Sequence, residues 1–190
     1  MKGYIYTMYA GADPGVGWRL TDPLFARVPT LGACVPNIRR VVLPGDFIFT
    51  VSGRAPAVRQ YVVGGFRVAE KISALAAFHR FPENRLHKAP DGTVVGNIVV
   101  NGRGDHHALD MHGSFERRIE NYIVGRDPLV LATAREVQQA RDETIEVLSD
   151  IFTVRHARTV GEVLGRWRRL DDTQIERLLR WMRAVKAKHN

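Results

Sequence analysis

The pattern of apolar and polar positions changes character about two thirds of the way along the chain. Up to residue 132 the apolar residues come in short runs separated by Gly, Pro and Asp. Such runs, rich in aromatic and β-branched side chains, predict strands and turns. Residues 3–10 (GYIYTMYA) read as a strand, and 11–29 as a loop that contains Trp18. Residues 44–46 (PGD) make a turn that launches a strong strand at 47–52 (FIFTVS). After a connection at 53–59, a second strong strand follows at 60–72 (QYVVGGFRVAEKI). A glycine pair inside that strand predicts a bend or a close approach of a neighbour. Residues 30–40 (TLGACVPNIRR) are ambiguous, and 73–81 fit a short helix or a turn. Residues 84–113 read as loop around a strand at 94–100, with short strands at 121–124 and 129–132.

Beyond residue 134 the spacing becomes helical. Val137, Ala140, Ile145, Leu148 and Phe152 recur at helix intervals and predict a helix over 135–152. Residues 159–169 read as helical too. The clearest helix is 172–188, where Ile175, Leu178, Leu179, Met182 and Val185 form one apolar stripe. Thr173 and Glu176 have the spacing of a capping box. Proline use agrees with this division: all nine prolines lie between Pro14 and Pro128.

Charge sharpens the picture. The formal net charge is +8. Residues 155–190 carry 10 Lys and Arg against 4 Asp and Glu, a balance of +6, which leaves +2 for the first 154 residues. A basic C-terminal tail suits an electrostatic grip on phosphates, although a solvated helical face has the same composition. No apolar run approaches the roughly 20 residues of a membrane span. The start of the chain lacks the apolar stretch and cleavage site of a signal peptide. Cys34 is the only cysteine, so neither an internal disulfide nor a cysteine-based zinc site can form within one chain. A cytoplasmic protein is expected.

The blocks PGDFIFTVSG and YVVGGFRVAEK, in that order, resemble the PUA-like superfamily, which includes the EVE, ASCH and YTH domains. The upstream block at 30–40 is similar to one in the nucleotide modification associated domain family, type two. Asp105-His106-His107 matches a D-H-H-like segment of that family. The resemblance covers about residues 3–131. It implies a small PUA-like β-barrel domain over 1–134 with peripheral helices; the basic helical extension over 135–190, read from its own periodicity and charge, lies outside the resemblance and completes an α+β fold. It also implies recognition of a modified base or nucleotide in a pocket at the barrel mouth, in a DNA-modification or restriction context. The EVE pattern has a Trp just before the block, where this sequence has Thr30-Leu31. Trp18 or Tyr6 would then supply the ring.

The candidate base-binding residues are Tyr6, Trp18, Cys34, Asn37, Arg39, Thr50, Ser52, His106 and His107. Trp18 can stack on a base or simply anchor its loop. Asn37, Arg39 and Arg40 carry donors suited to a base edge or a phosphate, or form a surface turn. Thr50 and Ser52 share one face of a strand, and their hydroxyls can serve a base or the local backbone. A lone cysteine among apolar residues is ordinarily core filler. Arg40, Arg54, Arg177 and Arg180 are the candidate phosphate contacts. His106, His107 and His112 with Asp105 and Asp110 form the densest titratable cluster. Adjacent histidines diverge on a strand, so no metal site is assigned, and no cofactor is implied. Gly11 to Gly17 lacks the lysine of a phosphate-binding loop.

These features predict a nucleic-acid-binding module, with DNA or a free modified nucleotide as partner in preference to RNA, and no membrane. One alternative is an enzyme acting on a nucleotide through the 105–112 cluster. Another is an interaction module whose C-terminal amphipathic helix pairs with a partner or forms a homodimer.

Overall fold

The structure is a computed structural model that describes residues 1–189. It is an α+β protein, with six α-helices and a mixed six-stranded sheet among the described residues. The strands are β1 (Gly3–Thr7), β2 (Thr30–Leu31), β3 (Phe47–Val51), β4 (Val62–Ile72), β5 (His87–Lys88), β6 (Val94–Val95), β7 (Tyr122–Val130) and β8 (Trp167–Leu170). The helices are α1 (Pro36–Val41), α2 (Ala74–Arg80), α3 (Glu116–Ile119), α4 (Ala134–Phe152), α5 (Val160–Leu164) and α6 (Asp172–His189). The sheet order is β2-β7-β4-β3-β1-β8, while β5 and β6 form a separate two-stranded ribbon. No pairing between β2 and β8 closes the large sheet among the described residues.

The chain divides into two compact units. The first comprises Met1–Leu20, Gly45–Arg67 and the chain from Pro128 on; the second comprises Thr21–Pro44 and Val68–Asp127. Strands β4 and β7 each run through both.

In the first unit β1 is the central strand. It pairs in parallel with β3, Tyr6 opposite Thr50, and antiparallel with β8, Tyr6 opposite Trp167. β3 and β4 form the expected antiparallel pair, with Phe49 opposite Gly65. The glycine is required there by space, because a Cβ would lie 2.3 Å from the Phe49 ring. Ile5, Ile48, Phe49, Val51 and Phe66 make the sheet's core. Leu148 from α4 and Ile175, Leu178, Met182 and Val185 from α6 are fully buried within this unit. The apolar stripe of α6 is therefore used in its own unit and is not a free surface for a second copy.

Several local features depart from the sequence expectation. Residues 167–170 form strand β8, not helix. Only Leu170 of the four is buried, so an edge strand with two arginines shows no clean alternation. The two short strands expected at 121–124 and 129–132 are one strand, β7, that continues through Pro128. The strand expected at 94–100 shrinks to Val94–Val95. Helix α6 is capped two residues earlier than Thr173. Asp171 Oδ1 accepts from the Gln174 amide at 2.8 Å, and Gln174 Oε1 accepts from the Asp171 amide at 3.0 Å. Helix α4 carries a full capping box from Thr133 and Glu136.

In the second unit an apolar cluster of Ala33, Ala74, Ala77, Phe81, Ile98, Val100 and Tyr122 packs beside a buried polar network. Asp22 accepts from the amides of Gly32 (2.8 Å), Ala33 (3.0 Å) and Cys34, and from Asn97 Nδ2 (2.9 Å). Asn97 also donates to Thr30 Oγ1, and Tyr122 Oη donates to Asn97 Oδ1 at 2.8 Å. Asn84 Nδ2 donates to both Thr30 Oγ1 and Tyr122 Oη.

Candidate functional site

In the first unit most of the candidate base-binding residues are enclosed. Tyr6, Thr50 and Ser52 are each at most 1% exposed. Tyr6 and Thr50 are register partners across β1 and β3. Ser52 Oγ accepts from the Tyr61 amide at 3.1 Å, so this hydroxyl serves the backbone. Trp18 is half-buried and stands edge-on to the Tyr9 ring at 5.6 Å. It keeps an open side as well as a loop-anchoring contact.

In the second unit Arg39 is wholly buried. Its guanidinium donates to the carbonyls of Cys34 (2.8 Å), Asn121 (2.7 Å), Arg118 (3.1 Å) and Ala33 (3.3 Å). It thus ties the 30–40 block to the chain before β7. Asn37 and Arg40 are exposed on α1, and Lys71 Nζ donates to the Arg40 carbonyl at 2.8 Å. Burial, then the neighbouring Asp22 carboxylate, pushes the Cys34 thiol far above its ordinary range. It is a protonated thiol at neutral pH, unsuited to attack as a thiolate.

Asp110, with a side chain only 2% exposed, organises the histidine cluster. His106 Nε2 lies 2.8 Å from Asp110 Oδ2, and His112 Nδ1 lies 2.6 Å from Asp110 Oδ1. Burial would raise the Asp110 carboxyl, but the two histidines outweigh it and hold it below its usual range. His106 also stacks on Phe115 at 4.5 Å. His107 turns elsewhere, its Nδ1 accepting from the Leu109 amide at 3.2 Å. Among the described residues no three His, Cys, Asp or Glu side chains are placed to hold a metal ion.

The basic C-terminal segment, residues 155–190, has a different character. Of its ten Lys and Arg side chains, three are engaged inside the molecule. Arg168 donates to the Val163 carbonyl at 2.7 Å and lies over the Phe152 ring, Arg177 pairs with Asp150, and Lys186 pairs with Glu136 at 2.9 Å. Arg155, Arg158, Arg166, Arg169, Arg180, Arg183 and Lys188 are all exposed, and none of these seven forms an ion pair among the described residues. On α6, Arg180, Arg183 and Lys188 face away from the buried Ile175, Leu178 and Met182. Arg180 and Arg177 flank Trp181 along a groove of about 330 Å³ between α4 and α6. Trp181 is fixed by donating its indole N–H to Glu143 at 2.7 Å.

Of this set the sequence pattern singled out Arg177 and Arg180. Arg155, Arg158, Arg166 and Arg169 show no periodicity, so only the charge balance of the segment pointed to them. The sequence matches no family model, no curated protein and no solved structure.

Proposed function

We propose that the protein is a nucleic-acid-binding module that grips the phosphate backbone through its C-terminal segment, residues 155–190. One observation carries the reading: seven exposed cations between Arg155 and Lys188, none of which forms an ion pair among the described residues. Unpaired surface cations repel one another, and a polyanion relieves that repulsion while releasing its counterions. Trp181 beside Arg180 adds an aromatic face of the kind that unpaired bases stack on.

The finer reading follows the resemblance over residues 3–131. A PUA-like barrel would read a modified base, with DNA preferred over RNA. Among the residues so implied, Trp18, Asn37, His106 and His107 keep exposed surface for a ligand, whereas Tyr6, Arg39, Thr50 and Ser52 support the scaffold.

Fluorescence anisotropy with labelled oligonucleotides tests the reading. If all seven cations met phosphates, affinity would fall by about three decades or more between roughly 50 and 200 mM salt. Arg180→Gln with Arg183→Gln should flatten that dependence by about two phosphate contacts. Absence of binding at low salt to any oligonucleotide, modified or unmodified, would refute it.

A further inference from the structure

A second basic feature lies in the first unit, in a cleft of about 400 Å³. Three cations line it: Arg54 and Arg59 from the loop between β3 and β4, and Arg158 from the approach to α5. No carboxylate lines the wall, and Val58, Ile145 and Val160 give it an apolar floor. The guanidinium groups of Arg54 and Arg59 have no ion pair or hydrogen-bond partner among the described residues. The nearest acid acting on Arg158 is Glu162, which takes its backbone amide at 2.8 Å.

The loop that presents Arg54 and Arg59 is fastened at several points. The Gly53 amide donates to the Ala12 carbonyl at 2.7 Å, and a Cβ on Gly53 would lie 1.9 Å from the Tyr9 carbonyl oxygen. The Gly11 amide donates to the Arg54 carbonyl at 2.8 Å. Buried Arg141 donates to the Arg59 carbonyl, and Gln60 Nε2 donates to the Ser52 carbonyl at 2.7 Å. At the loop tip Ala57 adopts a left-handed conformation, φ 61°. Such a conformation costs energy in a residue with a side chain and persists only where its surroundings enforce it.

Three like charges share one wall, and two of them are carried on a loop held too firmly to splay apart. A dianion removes that repulsion. The volume falls within the range of small-ligand sites, roughly 300–1,000 Å³. We propose that this cleft binds a phosphate monoester, carried either on a free nucleotide or at the 5′ end of a nucleic-acid strand. Arg54, Arg59 and Arg158 take the phosphate oxygens, and the apolar floor receives the sugar or base. A monoester has close to two negative charges at neutral pH and oxygens that suit guanidinium forks. For a strand end the proposal rests on the nucleic-acid reading above; for a free nucleotide it stands without it.

The experiment compares a short oligonucleotide with a 5′-phosphate against the same strand with a 5′-hydroxyl, and a nucleoside 5′-monophosphate against its nucleoside, by calorimetry and anisotropy. The phosphorylated member of at least one pair should bind about tenfold tighter or better, the effect of one lost charge-assisted contact. Arg54→Gln with Arg59→Gln should erase that preference without moving the melting temperature. Arg180→Gln with Arg183→Gln should weaken both oligonucleotides alike and keep the preference. Equal binding within both pairs, or a preference that survives in the Arg54/Arg59 variant, would overturn the proposal. If the mononucleotide binds through these arginines and no oligonucleotide binds, the cleft stands and the nucleic-acid reading falls.

Discussion

Two buried aspartates, one in each unit, fix loops by opposite means. Asp13 does so through a charge pair. Its oxygens accept from both terminal nitrogens of Arg141, at 2.8 and 2.9 Å, and from the Gly15 amide. Arg141 in turn reaches the Arg59 carbonyl and lies over the Tyr61 ring. Burial and the Asp13 carboxylate together push the Tyr61 hydroxyl up to about 12. Asp22, by contrast, has no cation bonded to it. Its negative charge is spread over three backbone amides and the Asn97 side chain. A charge met by another charge leaves a naked ion when one partner is removed. A charge met by neutral dipoles loses its contacts in fractions. The first anchor should therefore fail abruptly and the second gradually.

Arg141→Ala gives the largest expected effect, a loss of about 3–5 kcal/mol in denaturant unfolding, because the buried Asp13 carboxylate is left uncompensated. Pairing it with an apolar residue at position 13 should recover much of that loss. If the double variant is no more stable than Arg141→Ala, the charge-pair account of this anchor is wrong. Asp22→Asn should cost less, about 2 kcal/mol, since one amide oxygen still accepts and only part of the network is stranded. An effect as large as that of Arg141→Ala would erase the distinction between the two anchors.

Neither anchor was legible in the sequence. Asp13 and Arg141 are far apart along the chain, and an aspartate in a Gly- and Pro-rich loop reads as a solvated turn residue. What was legible was periodic. The β1, β3 and β4 strands and the α4 and α6 helices all carry apolar spacing strong enough to survive local exceptions. The β8 strand was hidden because an edge strand with one buried residue and two arginines has no readable period. β7 was read as two strands because Asp127-Pro128 looks like a break. Asp127 takes a left-handed conformation there, φ 52°, and the strand passes through an exposed stretch. The candidate site behaved similarly. Charge balance located the basic tail, whereas the meeting of the 54–60 loop with Arg158 exists only in the folded chain. Arg39, chosen for its donors, uses them on backbone carbonyls, a role invisible without the fold.

A smaller effect separates a third anchor from these two. Burial would raise the Glu136 carboxyl, but the Thr133 amide, the Lys186 ammonium and the Ala132 amide overcome it and hold the group at about 2, against 4.5 when unperturbed. A depressed carboxyl contributes stability that is complete above its unfolded value and lost as pH falls through the folded one. Stability should thus decline between about pH 4.5 and pH 2. Glu136→Gln should lower stability at neutral pH by about 1 kcal/mol and blunt the decline. An unchanged acid profile in that variant would remove Glu136 from the account. The smallest stability effect is expected from Arg180→Gln with Arg183→Gln, within about 0.5 kcal/mol, because neither exposed side chain has a partner to lose among the described residues.

Strand β8 has a practical side. As the outermost strand beside β1, it offers an unpaired backbone edge to neighbouring molecules in solution. Of the two arginines on that strand, Arg168 turns inward to the Val163 carbonyl and Arg169 is exposed, so two copies approaching edge to edge would bring Arg169 against its own like charge before their backbones join. Such protection is electrostatic and weakens as salt screens it. Concentrated preparations should therefore stay clear longest in dilute buffer.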